Sequence, residues 1–382
     1  MNIYNHKFII FGSYGANALG QIRGLGEKGI KPIAILVGKN SYRIDKSKYI
    51  SELYDVSDIE EGLNLLLLKF GTEPYKPFLF TDRDDIMGLL DSNYDTIKNL
   101  FYLWNAGKSG RLSYFLNKVN QIKLAEECGF RIPQTEIVNV GEMPYNLTFP
   151  IFTKAADSLN PFWKGEAHIC YDEHDLKETY KNIDSKQILL QEYIEKESEL
   201  PLEGISLNGG EELVILGRTV YCNLRKDSFG TYRYVEPYNN MELELKIKKM
   251  IKSIHYTGAF EIEFIVDKNK THYFLEINFR IAQQNYGYVL LGANIPYICA
   301  LSMLEGHIIY DEIKYIPQRK VYIMHEFEDF KYSVIHKEIS LVRWMRNFIS
   351  SDCYSFFNIK DLRPFCYTIL TKVINSIKCR KK

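Results

Sequence analysis

Cysteine is sparse in this chain and badly placed for chemistry. Seven cysteines are spread over 382 residues with no CxxC and no Cys/His spacing. A zinc site and a disulfide framework are therefore not expected. The histidines, His168, His255 and His272 among them, show no ligand spacing. His255 closes a predicted helix, where it suits the dipole better than it suits general-base chemistry. No Ser/His/Asp or Cys/His set for covalent catalysis stands out. Long apolar runs are missing as well. No window of about eighteen apolar residues occurs, so no membrane span is expected. The start, MNIYNHKFIIFGSYG, has too short an apolar run before its glycine to read as a secretion signal. The expected location is the cytoplasm. Net charge is also absent, with 48 Lys and Arg against 48 Asp and Glu, so no overall field draws the protein to nucleic acid. There is no internal repeat and no low-complexity linker.

What is present is a chain with 46% apolar residues, long enough for two or three domains. Lys7–Phe11 reads as a strand. It runs into the loop GSYGANALG, a helix over Gln21–Lys28 and a strand over Pro32–Val37, which makes a βαβ opening. Leu63–Phe70 is helical in pattern, Phe78–Thr81 a strand, and Asp82–Leu90 a helix with acids in its first turn. Together they predict a small parallel α/β layer. Ser109–Cys128 reads as one helix stopped by Gly129. Pro150–Lys154, Glu166–Tyr171 and Gln187–Tyr193 read as strands around a helix at Glu173–Asn182. Ile205–Leu207, Glu212–Leu216 and Thr219–Leu224 read as successive antiparallel strands. Helices at Leu243–His255 and Pro296–Leu304 follow.

The stretch Phe260–Arg280, FEIEFIVDKNKTHYFLEINFR, carries the strongest signal. It predicts two strands joined at Asp267–Thr271. Alternate side chains of a strand share a face. Phe260, Ile262, Phe264 and Val266 form one apolar face, continued by Tyr273, Leu275, Ile277 and Phe279. Glu261 and Glu263 project opposite, with Glu276, Asn278 and Arg280. A hairpin closed near Asn269 sets Glu263 across from Glu276. Facing carboxylates repel, so a cation between them is expected. Carboxylates with an Asn carbonyl are hard donors suited to Mg²⁺, and a nearby Arg suits a phosphate.

These segments, in order, resemble the ATP-grasp superfamily, in particular carboxylate–amine ligases related to carbamoyl-phosphate synthetase and D-aspartate ligase. The resemblance covers about Lys7 to Leu304. It rests on LNKVNQIKLAEECGFRIPQT, FPIFTK, LLQEYIE and the EF-I-x-D…FLE-I-N-F-R hairpin; Phe279 stands where many members have proline. It implies a mixed α/β and α+β fold: a parallel pre-ATP-grasp domain (1–106), a small lobe with linker helix (107–190), a large lobe (191–306) and a mixed C-terminal extension (307–382). It also implies ATP, with Mg²⁺ or Mn²⁺, as two ions held by Glu263, Glu276 and Asn278. Lys118, Lys154 and Lys164 match phosphate contacts, with the loop Ala155–Lys164 as a lid. Glu192 and the backbone of Tyr193 and Ile194 match the adenine contacts. Glu199 and Glu203 compete for the ribose, Glu203 being favoured. Arg280, Lys154 and Arg225, the last chosen over Arg218 and Arg233, would neutralise the moving phosphoryl group. Ser13, Asn17, the Asp82/Asp84/Asp85 cluster and Gln283–Asn285 are candidate substrate contacts. The implied reaction activates a small carboxylate as an acyl phosphate for attack by an amine.

Two rival readings remain. A reductase using NAD(P) would need a G-x-G-x-x-G loop and an acid after the second strand, and Val37–Asn40 offers none. A non-catalytic nucleotide-binding module would not need the full Glu/Glu/Asn/Arg set. After Gly306, Leu341, Val342, Met345, Phe348 and Ile349 form an apolar stripe, and YTILTKVINSIKCRKK is amphipathic and basic. Such helices pack on the domain or on a second subunit in a homodimer, or lie weakly on an anionic membrane; packing is favoured.

Overall fold

The computed structural model describes residues 2–155, 167–223 and 230–380. The first sheet holds β1 (Phe8–Ser13), β2 (Ile33–Val37), β3 (Glu52–Val56), β4 (Phe78–Phe80) and β5 (Tyr102–Leu103). Its order is β3-β2-β1-β4-β5, and every pair is parallel. β1 and β2 are buried almost throughout, as central strands covered on both faces must be. The expected parallel layer is therefore observed. Its first helix spans Ala16–Glu27 and starts well before Gln21. Glycines read as helix breakers, but here they permit close approach: a Cβ on Gly20 would stand 2.2 Å from Asn285 Oδ1.

The second sheet holds β6 (Thr135–Asn139), β7 (Ile151–Ala155), β8 (His168–Cys170) and β9 (Gln187–Glu192), in the antiparallel order β6-β9-β7-β8. The third is larger. It holds β10 (Lys196–Leu207), β11 (Glu212–Tyr221), β12 (Tyr232–Glu236), β13 (Gly258–Asp267), β14 (His272–Asn278), β15 (Val321–Met324) and β16 (Cys353–Tyr354), ordered β14-β13-β10-β11-β12-β15-β16. β10 runs straight through Pro201, where the sequence predicts a strand only from Ile205. Its ladder to β11 begins at Leu202, so Pro201 is paired on the β13 side alone.

β15 and β16 come from the region after Gly306, which therefore completes the large sheet. That region also grips the first layer. Arg23 Nε reaches Asp361 Oδ2 at 3.1 Å with both side chains buried. The Arg23 fork also donates to the Phe356 and Asp361 carbonyls. One apolar core joins the first layer, β10–β14 and the helices Met241–Ile254 and Ile295–Glu305.

Candidate active site

The β13–β14 register sets Glu263 opposite Glu276 and Glu261 opposite Asn278, the facing pair that the hairpin turn predicts. A bulge between Glu263 and Phe264 then changes the phase. Phe274 enters the core, and Tyr273 and Leu275, expected on the apolar face, turn partly outward. An extra residue at a bulge breaks the simple alternation. β10 continues the rows by placing Pro201 beside Glu263 and Glu203 beside Glu261. The Asn278 amide donates to Glu263 at 3.0 Å and to Glu261 at 3.3 Å.

Two lysines reach this acidic face from other elements. Lys118 Nζ lies 2.8 Å and Lys154 Nζ 3.5 Å from Glu276 Oε2. Lys154 also donates to the Leu275 carbonyl at 3.1 Å. The helix expected over Ser109–Cys128 is in fact two, Arg111–Leu116 and Lys118–Glu127. Asn117 takes extended backbone and its side chain caps Val119 N at 3.0 Å. That break puts Lys118 in the first turn of the second helix. Gln121, one turn on, makes paired bonds to the backbone of Ile277, accepting from its N–H at 3.0 Å and donating to its C=O at 2.9 Å. The helix is thus locked to the strand that carries Glu276.

The charges are unequal in comfort. Burial works to raise Glu276, but the Lys118 and Lys154 ammoniums overcome it and hold that carboxyl well below the usual range. Burial and the Lys118 charge bring Lys154 down to about 8. Glu263 is pushed up by burial and by the Glu261 and Glu276 charges. Glu203 is pushed up by burial and by Glu261, and Glu261 is raised by its own burial. Glu203 Oε2 and Glu199 Oε2 are buried without a hydrogen-bond partner among the described residues. A buried carboxylate oxygen without a donor, as on Glu203, fits a hard cation.

The remaining expected residues are distributed as follows. Arg280 is half-buried and forks onto Asp84 of the first layer, Nε at 2.9 Å and Nη2 at 3.4 Å. Glu192 ends β9, and its carboxylate accepts from Gln134 N at 3.3 Å. The Tyr193 N–H donates to the Pro150 carbonyl at 3.4 Å, and Ile194 follows it in the same segment. Glu192 borders a groove of about 580 Å³ with Ile122, Ile132, Ile137, Leu189 and Tyr273 on its walls beside Lys123, Glu126, Arg131 and Gln134. Glu199 pairs with Lys196 at 2.5 Å. Glu203 instead accepts from Ala282 N at 3.0 Å, deep beside Glu261. Lys164, Arg225 and the expected lid lie outside the described residues. Arg233, passed over for Arg225, is buried on this face, bonded to Gln283 and Gln284 at 3.1 and 3.4 Å. Gln284 in turn donates to Glu261 at 2.6 Å. Arg218 pairs with Glu236 at 2.6 Å.

The glycine loop is filled by the chain itself. Asp82 accepts from Ser13 N at 2.8 Å and from Ser13 Oγ at 2.5 Å. Asn17 donates to the Ile281 carbonyl at 2.6 Å, and Asp85 pairs with Arg83. Glu261, Gln121 and Arg233 belong to this face beyond the residues that the resemblance implies. Glu261 is legible in the strand pattern, since it shares the parity of Glu263. Gln121 carries no local signal, because its partner is 156 positions away.

Residues 113–286 match the family described as carbamoyl-phosphate synthase L chain, ATP binding domain. The N5-carboxyaminoimidazole ribonucleotide synthase of Staphylococcus aureus (strain COL) is 25% identical over 138 residues, 36% of this chain and 35% of that protein. The chain thus matches about a third of the length of this curated relative. The solved N5-carboxyaminoimidazole synthetase from Staphylococcus aureus superposes with a TM-score of 0.64 at 14% identity, covering 88% of each chain. An L-amino acid ligase from Bacillus licheniformis gives 0.63 at 15% identity, over 81% of this chain and 78% of that one. The biotin carboxylase domain of Hydrogenobacter thermophilus 2-oxoglutarate carboxylase, solved with MgADP, gives 0.62 at 17% identity, over 81% and 72%. These likenesses show the fold. The region that matches this ATP binding domain family follows a parallel α/β layer.

Proposed function

We propose that this protein is an ATP- and Mg²⁺-dependent, ADP-forming ligase that activates a small carboxylate as an acyl phosphate and passes the acyl group to an amine. One observation carries the reading: two buried lysines from separate elements meet Glu276, which faces Glu263 and neighbours Asn278 and Arg280. Glu263, Glu276 and the Asn278 amide oxygen would hold Mg²⁺, or Mn²⁺ in its place, with Glu276 shared between two ions. Such ions supply charge neutralisation for a phosphate chain. Lys118 and Lys154 offer ammoniums to phosphate oxygens. Glu192 with the Tyr193 and Ile194 backbone would frame adenine at the edge of the groove of mixed polar and apolar lining.

The ribose role passes from Glu203 to Glu199. Glu203 sits at the inner end of the acid row, next to Glu261 and the Ala282 amide. Glu199 lies nearer the strand start that follows the adenine segment. Arg280 is oriented by Asp84, and Arg233 by Gln283 and Gln284. Both would balance charge on the moving phosphoryl group, with Arg225 and Lys164 as further candidates. The carboxylate oxygen attacks the γ-phosphorus and ADP leaves. The amine nitrogen then attacks the acyl carbon, phosphate leaves, and the amine proton goes to solvent. Positioning and electrostatics carry such a reaction, with no covalent enzyme intermediate. Of the divisions the resemblance implies, the one at 106 would stand, the one at 190 would move past the end of β9 at Glu192, and the one at 306 would fall away because β15 and β16 belong to the large sheet; the cytoplasm would supply the Mg-ATP.

An ADP-release screen with Mg-ATP over amino acids, sugar acids and amines tests this. The expected result is release that needs both an acid and an amine and is lost in Glu276→Ala. A thermal shift with NAD(P)H and none with Mg-ATP, or Mg-ATP binding without release for any pair, would overturn it.

A further inference from the structure

Two helices of the C-terminal region turn apolar faces away from the body. In Leu341–Ser350, Trp344 and Phe348 pack inward, with ring centroids 5.2 Å apart. Leu341, Val342, Met345 and Ile349 fall on the adjoining arc at 100° per residue. All four are exposed, Val342 at 71% and Ile349 at 75%. In Arg363–Arg380 the inward side is Pro364, Phe365 and Thr368. Its opposite arc carries Tyr367, Leu370, Val373 and Ile374, all exposed. The helices share one aromatic seam. Phe357 lies 6.3 Å from Phe348 and 5.2 Å from Phe365. Ile359, between them in the chain, is 81% exposed. Solvated helices turn polar residues outward; these two do the reverse, and such contiguous apolar surface marks an interaction site.

Charge chooses the partner. Neither helix contains an acidic residue. Over 341–382 the acids are Asp352 and Asp361 alone, and Asp361 is spent on Arg23 in the interior. Arg343 and Arg346 flank the first apolar arc, and the second helix sequence holds Arg363 and continues into KCRKK; Lys372 turns to the body instead, 5.0 Å over the Tyr42 ring. A twofold contact would set this basic patch against its own copy, where like charges repel. An anionic lipid surface matches both features at once: apolar side chains enter the acyl boundary while Lys and Arg meet headgroup phosphates. Among the described residues no helix is long and apolar enough to cross a membrane.

We infer that the helices Leu341–Ser350 and Arg363–Arg380 form a peripheral docking face for anionic lipid bilayers, holding the enzyme at a membrane surface without spanning it. Sedimentation of the full chain with phosphatidylcholine vesicles, with and without about 30% phosphatidylglycerol, tests this. Binding is expected to the anionic vesicles and to weaken as salt rises. Val342→Glu with Ile349→Glu, and separately Leu370→Glu with Val373→Glu, should each lower the bound fraction about tenfold or more while leaving the melting temperature and Mg-ATP binding intact. Absence of wild-type binding to anionic vesicles at low salt would overturn the inference. So would light scattering that shows a dimer abolished by the same variants.

Discussion

Glu263 and Glu276 face each other across one hairpin, yet replacing each with Gln should move stability in opposite directions. Glu276 is the countercharge for two buried ammoniums at 2.8 and 3.5 Å. At an effective dielectric of about 20, each pair is worth roughly 5 kcal/mol before desolvation. Two effects limit the loss in Glu276→Gln. Repulsion on Glu263 is relieved, and Lys154, already near 8, can shed its proton for about 1.4 kcal/mol per pH unit. The net destabilisation should be about 3–5 kcal/mol, the usual result of removing one partner of a buried ion pair. Glu263→Gln removes a carboxyl that burial, Glu261 and Glu276 all push up. It should stabilise the ligand-free protein by about 1–2 kcal/mol, as relief of active-site strain commonly does. Both variants should lose ADP formation.

The pH dependence follows the same signs. A raised folded pKa contributes stability that is fully present below the unfolded value and is lost as pH rises toward the folded one. With Glu203, Glu261 and Glu263 all raised from 4.5, ligand-free stability should fall as pH rises above that value. Glu263→Gln should flatten the fall. Glu276 acts oppositely, adding stability above 4.5 that is lost only in stronger acid. Urea unfolding from pH 2 to 8, with calorimetry of Mg-ATP binding, reads all of this. Equal destabilisation by both variants, or ADP production retained in either, would refute the reasoning.

Three further outcomes are expected. Lys154→Ala should weaken nucleotide binding by about 2–3 kcal/mol, the loss of one charge-assisted contact, and unchanged affinity by calorimetry removes Lys154 from the phosphate site. Chelation with EDTA should stop ADP release, and Mg²⁺ or Mn²⁺ should restore it; release that persists without divalent ions removes the metal from the reading. Arg23→Leu leaves Asp361 buried and unpaired and should lower stability by about 3–5 kcal/mol, which chemical denaturation measures; a change below 1 kcal/mol would show that this pair does not hold the C-terminal region to the first layer.

The parts of this site legible in the sequence are those set by local rules. Strand period and a polar turn suffice to pair Glu263 with Glu276, because hairpin register follows from the turn. The bulge beyond Glu263 is not legible, since the extra residue is recognised only against its partner strand. Asn117 splits a helix whose apolar stripe carries on unbroken across it, so periodicity alone joins the two pieces. Pro201 and the charges around it hide β10, which becomes a strand because β13 lies beside it. β15 and β16 are two to four residues long and pair with sequence-distant neighbours, leaving almost no local pattern. Arg280–Asp84 and Gln121–Ile277 are likewise contacts between elements that only the fold brings together.

The same contacts explain why the acid row persists. Glu203, Glu261, Glu263 and Glu276 share one sheet face, and both site lysines pair with the last of them. The others have neutral donors: Ala282 N for Glu203, the Gln284 amide for Glu261 and the Asn278 amide for Glu263. Neutral donors orient a carboxylate but cannot cancel its charge. An apolar replacement at any of these positions would pack on the sheet without that penalty. A row that opposes the fold in the free protein becomes favourable once a divalent cation binds it, because binding to the folded state alone adds stability by mass action. The cleft is therefore expected to be most stable when loaded with metal and nucleotide, and Glu263→Gln should reduce the melting-temperature gain that Mg-ATP confers even as it raises the starting point.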